Sequence, residues 1–231
     1  MSYGSGLLSK ERPNIPHLAT ASTEVGDLRR DLEKTLAPMR ATTVEEYKAP
    51  AADAVNSVLT IAAGLISALT PQTILPAQLN GALGAHLGYP RKFTVTTGGV
   101  TPAHSPASLT LKAKDARGRV VTETIALGQI AGTDMSTNFV LEILEVHLPA
   151  GTGVAATFTF GHDEPIGLSH PPLARAGGVN LLWEKESTLG VVTTGAITDA
   201  ATDPPYGAYT PATPTDGAEG YAIEFEYDPT V

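Results

Sequence analysis

The sequence predicts an all-β protein: an antiparallel β-sandwich preceded by an extended N-terminal arm and one short amphipathic helix. Three observations carry this. The stretch Tyr89 to Leu127 alternates apolar and polar residues at period two, turns, and alternates again. Composition agrees, with 23 Gly and 18 Pro against 6% aromatic residues, the signature of short strands joined by turns. The third is the C-terminal run, in which Tyr221, Ile223, Phe225 and Tyr227 alternate with Ala222, Glu224, Glu226 and Asp228, giving one apolar and one acidic face.

Residues 1–20 hold Gly4, Gly6, Pro13 and Pro16 without a sustained period and read as an arm. Ser22 caps a helix with Glu24 and Asp27 in its first turn. Val25, Leu28, Leu32 and Leu36 form one narrow apolar stripe, and Pro38 ends the pattern. Such a helix is stable only when its stripe docks, on its own domain or, the preferred reading, on a neighbouring subunit. Thr42 to Ala52 reads as a linker, so the chain divides into an arm, helix and linker (1–52) and a β-domain (53–231). From Asp53 to Thr70 helical and strand periods conflict.

In the central hairpin, a turn at Asp115–Gly118 with Gly118 left-handed sets Asp115 opposite Arg119, Ala113 opposite Val121 and Leu109 opposite Ile125. Leu109, Leu111, Ala113, Val121 and Ile125 then share an apolar face, while Thr110, Lys112, Thr122 and Thr124 face water. Glu123 falls opposite Leu111 and breaks the pattern. A bulge, a cation at the sheet edge or a catalytic role would each account for it. Phe139 to Leu148, flanked by turn residues, reads as a strand, as do Val154 to Phe160, Val179 to Lys185 and Leu189 to Thr194. Asp199 to Gly220 is rich in Pro, Gly, Thr and Asp and reads as an exposed contact loop.

Net charge is -9 and unevenly placed. From Glu184 onward nine acids face one base, Lys185, which disfavours nucleic acid. The basic residues Arg91, Lys92, Lys112, Lys114, Arg117 and Arg119 cluster around the hairpin without aromatics to stack bases, so a solvated face or an acidic neighbour is expected. No cysteine is present, which removes disulfides and thiolate chemistry. The first residues, MSYGSGLLSKERP, lack an apolar run, so no secretory leader is expected, and the apolar window Val58–Leu69 is too short to span a bilayer.

Tests for chemistry return little. Gly151 to Ala156 fits a loose dinucleotide fingerprint but precedes a strand instead of a helix. There is no P-loop and no Gly-x-Ser-x-Gly elbow. Ser105 beside His104 and Ser169 beside His170 lie in Pro-rich loops. His162-Asp163-Glu164 is the densest ligand group and reads as a polar turn before Pro165, and Asp216-Gly217 with Glu219 lacks the spacing of a calcium loop. No catalytic, cofactor or metal residue is expected.

The order Tyr89-Pro90-Arg91, a Thr/Val strand, a polar loop, Asp-x-x-Gly and Val120 to Ile125, with Val146-His147-Leu148-Pro149-Ala150-Gly151 and Tyr209-Thr210-Pro211 before the closing Tyr/Glu strand, resembles a β-sandwich module of virion structural proteins of tailed bacteriophages. The resemblance spans most of residues 54–231. It favours strand over helix for Asp53 to Thr70. It implies a non-enzymatic coat or neck component, first a capsid decoration or cement protein, assembled in the host cytoplasm as a homo-oligomer of three or more subunits on the major capsid protein. A neck, collar or tail-completion role is the alternative. A carbohydrate-binding or adhesin-like module is the alternative of another class, with Trp183, Tyr206 and Tyr209 exposed to stack on sugars. No nucleic acid, membrane or cofactor is expected as partner.

Overall fold

The strands follow the period-two segments. In chain order they are β1 (Ala41–Tyr47), β2 (Ala54–Leu59), β3 (Gln72–Ile74), β4 (His86–Gly98), β5 (Ala107–Lys114), β6 (Val120–Leu127), β7 (Gly132–Leu148) and β8 (Thr157–Gly167). They continue as β9 (Ala174–Arg175), β10 (Gly178–Val179), β11 (Leu181–Glu186), β12 (Gly190–Val192), β13 (Ala196–Thr198), β14 (Ala208–Thr210) and β15 (Tyr221–Tyr227). The computed structural model describes residues 41–59, 71–98, 107–128, 132–150, 157–175, 178–179, 181–187, 190–192, 195–227 and 229. The helix read over Ser22 to Leu36, with Val25, Leu28, Leu32 and Leu36, lies outside these residues, as does the Gly151–Ala156 motif. Among the described residues the only helical element is a 3₁₀ turn, Pro76–Gln78, and no helix is long and apolar enough to cross a membrane.

Every pairing between these strands is antiparallel. A large sheet runs β13-β14-β8-β4-β7-β5-β6, with β2 also on β8 and β3 on β7. A small sheet runs β1-β15-β11-β12, and β9 and β10 form a separate ribbon. The hairpin has the expected register, with Ala113 opposite Val121 and Leu109 opposite Ile125. Its turn closes through Asp115 N–H to the Arg119 carbonyl (2.9 Å), and Gly118 takes φ 75°. Leu109, Leu111, Ala113 and Ile125 are buried in the main core with Phe93, Val95, Val146 and Phe160. A buried side chain of this size contributes about 1.5–3 kcal/mol, so this face fixes the register.

Four expectations are corrected. Thr42 to Ala52 is not wholly linker, because Ala41–Tyr47 pairs along its full length with β15. Gly132 to Asn138, the turn-rich flank read as preceding the strand Phe139 to Leu148, is itself strand, the first part of the 17-residue β7. His162-Asp163-Glu164 is not a turn but part of β8, with His162 opposite Phe93. Asp199 to Gly220 is not all exposed loop, since β14 within it carries the fully buried Tyr209. Its turn-forming composition hid three residues that pair with β13, two of which, Ala208 and Tyr209, also pair with β8. Pro90 sits inside β4 without an N–H to donate, and the β4–β7 ladder skips from His86 to Arg91 around it.

Glu123 stands opposite Leu111 in an unbroken register, so no bulge displaces it. Its carboxylate accepts the Thr137 and Asn138 backbone N–H groups and the Asn138 side-chain amide (2.9 Å). The odd carboxylate of the hairpin ties β6 to the bend of β7.

Candidate functional site

A second core lies where residues of β1 and β15 pack against Ile166, Leu168, Tyr206 and Tyr209. Six of the seven tyrosines gather there: Tyr47, Tyr89, Tyr206, Tyr209, Tyr221 and Tyr227. Tyr47 stacks on Tyr209, with ring centroids 5.8 Å apart and planes 8° from parallel. Tyr89 meets Tyr47 edge-on at 5.4 Å, and Tyr221 meets Tyr209 at 6.3 Å. Such pairs stabilise beyond their buried area. The corresponding correction is that Tyr206 and Tyr209, expected at the surface, are 5% and 0% exposed. Arg117 and Arg119 cover the Tyr206 ring at 4.3 and 5.0 Å. The backbone of Trp183 lies in β11, and its side chain is outside what is described.

The hydroxyls of this layer meet carboxylates. Tyr47 donates to Glu45 at 2.6 Å, and burial, then Glu45, push it well above its ordinary range. Burial and then Glu184 raise Tyr209 as well, while burial and Glu186 push Tyr221 up to about 12. Two rows run inward across the small sheet. Tyr47, Tyr221 and Glu186 form one, and Glu45, Ile223 and Glu184 the other. Glu184 and Glu186 are 0% and 1% exposed. They are the site residues that sequence reasoning missed, and only the excess of acids after Glu184 pointed to them.

At the mouth of the layer is a cleft of about 320 Å³ lined by Glu45, Tyr47, Tyr89 and Ser169. Ser169 Oγ donates to Glu45 at 2.6 Å and lies 2.9 Å from His170 Nδ1. In an acyl-transfer triad the imidazole stands between serine and acid. Here Glu45 itself takes the serine proton and also accepts the Ser169 N–H at 3.1 Å, so the group fastens β1 to the segment after β8.

Arg91, expected on a solvated basic face, is 1% exposed. Its guanidinium donates to the carbonyls of Asp163 (3.2 Å), Glu164 and Ala51 (3.1 Å), and burial lowers it to about 10. The other hairpin cations have partners on their own chain: Lys92 with Asp203 (2.7 Å), Lys114 with Glu142 (2.7 Å), Lys112 with Glu145 (4.0 Å) and Arg119 with Asp115 (2.9 Å). Arg117 donates to the Ser169 carbonyl.

His162, Asp163 and Glu164 do not converge. Glu164 accepts from Thr215, through its N–H at 2.5 Å and its hydroxyl at 3.0 Å, and Asp163 accepts the Glu164 N–H. His162 is buried with Nδ1 on the Asp163 carbonyl, and burial lowers its pKa. Among the described residues no three His, Cys, Asp or Glu side chains gather as a metal-binding group. Comparisons with family models, curated proteins and solved structures found no match to the chain.

Proposed function

We propose that this chain is a non-enzymatic structural protein of a tailed-phage virion. It is an antiparallel β-sandwich with an N-terminal arm and amphipathic helix that holds neighbouring subunits together on the capsid as a decoration or cement protein. The observation that carries the reading is the state of two terminal strands. β1 ends the small sheet and β6 the large one, and each presents an exposed apolar side chain, Val44 at 51% and Val120 at 56%. Among the described residues each is paired on one side only, and such strands are templates for a further chain. The charged side chains around them support the same reading. Glu123, Glu45, Arg91 and Lys92 each join one chain segment to another, which is the work of a rigid scaffold. Burial of Tyr206 and Tyr209 removes two of the three stacking platforms that a sugar-binding module would need.

The test is co-sedimentation of the purified protein with empty capsids. The decoration role predicts that the protein pellets with capsids in a fixed ratio to the shell protein. Protein that stays in the supernatant at every ratio would exclude the shell and leave a neck or tail position.

A further inference from the structure

Glu184 and Glu186 point into the tyrosine layer from alternate positions of β11, while Lys185 between them faces outward and is exposed. Of their four carboxylate oxygens only Glu184 Oε1 has a donor, the Ala212 N–H at 3.2 Å. Glu184 Oε2, both oxygens of Glu186 and the hydroxyl of the fully buried Tyr209 have no partner in hydrogen-bond geometry, although that hydroxyl lies near enough to Glu184 to be raised by it. Buried carboxylates are stable only with donors or a counter-charge. The charges acting most strongly on the neighbouring Tyr221 hydroxyl are all negative: Glu186, Asp216, Glu164 and Glu219. The Glu184 carboxylate packs directly against Gly195, where a Cβ would stand 1.9 Å from its Oε2, so only glycine leaves room for the carboxylate itself.

We propose that Glu184, Glu186 and the Tyr209 hydroxyl form an internal site for a hard divalent cation of the calcium type. Carboxylate and hydroxyl oxygens without nitrogen or sulfur select calcium or magnesium over zinc or copper. An irregular oxygen set with carboxylates free to bind through both oxygens suits calcium, whereas magnesium demands a near-ideal octahedron. Bound there, the ion would neutralise the acidic pair and join β11 of the small sheet to β14 of the large one.

The full chain, stripped with EDTA and dialysed, is titrated with terbium while the tyrosines are excited, then with calcium as competitor, and its thermal midpoint is followed in calcium and in sodium of equal ionic strength. The site predicts tyrosine-sensitised terbium emission that calcium displaces, and a midpoint that rises with calcium. Glu186→Gln keeps the shape and should weaken binding by about tenfold or more, because a carboxylate ligand is lost, while Lys185→Gln should leave it unchanged. Absence of sensitised emission together with an unmoved midpoint in the wild-type chain would overturn the site. So would a calcium response of undiminished size in Glu186→Gln, and the wild-type titration decides even where that variant does not fold.

Discussion

Arg91 shows how much of the architecture rests on single polar side chains. It is fully buried, and its three acceptors belong to β8 and to the segment before β2. Removing it takes three charge-assisted hydrogen bonds from a buried site, although the Ala51 carbonyl keeps the Thr215 hydroxyl and the Asp163 carbonyl stays beside the His162 ring, so Arg91→Ala should lower unfolding stability by about 3–5 kcal/mol in urea titrations. Arg91→Lys should recover only part of this, because one ammonium cannot reproduce the planar fork. Asp115 makes a different prediction. Burial opposes its ionisation, but the Arg119 guanidinium and the N–H groups of Arg119 and Arg117 prevail and hold it below the ordinary 3.8. The folded state therefore binds this proton less tightly than the unfolded chain does. Its contribution is complete above the ordinary carboxylate value and is lost as pH falls through the lower folded value. Acid unfolding curves of Asp115→Asn should accordingly show a shallower loss of stability below about pH 4 than wild type.

Among elements, the tyrosine layer between β1, β15 and β14 is the one with a distinctive response. Tyr47, Tyr206, Tyr209 and Tyr221 are all raised, burial being the first cause of each. Groups raised in the folded state contribute stability that is complete below their ordinary value of 10 and is lost as pH climbs toward the folded values. Tyrosinate absorbance should therefore appear together with loss of the folded circular dichroism signal above pH 10, in one steep step; gradual ionisation of a still-folded protein would contradict the layer. The hairpin β5–β6 and the closing strand β15 were legible because alternation and burial agree in them, as at Leu109, Ile125, Ile223 and Phe225. β11 was legible as a strand but not in which face it buries: pairing with β15, through a register shift between Leu181 and Trp183, buries Glu184 and Glu186. β1 was hidden because ATTVEEY carries few apolar residues and becomes a strand through its partner β15. The same holds for β14, whose burial depends on contacts with β8 that local sequence does not encode.

For the whole molecule, the described strands form one compact unit from Ala41 to Pro229 with two cores, the first apolar and the second rich in tyrosine and buried charge. In the proposed reading the sheet edges and residues 1–40 make the contacts with a neighbour. A stripe of Val25, Leu28, Leu32 and Leu36 gains free energy only when covered, and the proposal assigns that cover to a neighbouring subunit in a symmetric oligomer. The most direct test is solution mass by light scattering of the full chain beside the chain without residues 1–40, each checked for folding by circular dichroism. The account predicts a discrete oligomer of three or more subunits for the full chain and a folded monomer for the truncated one. A full chain that is monomeric at all concentrations, or a truncated chain that assembles equally well, would contradict it.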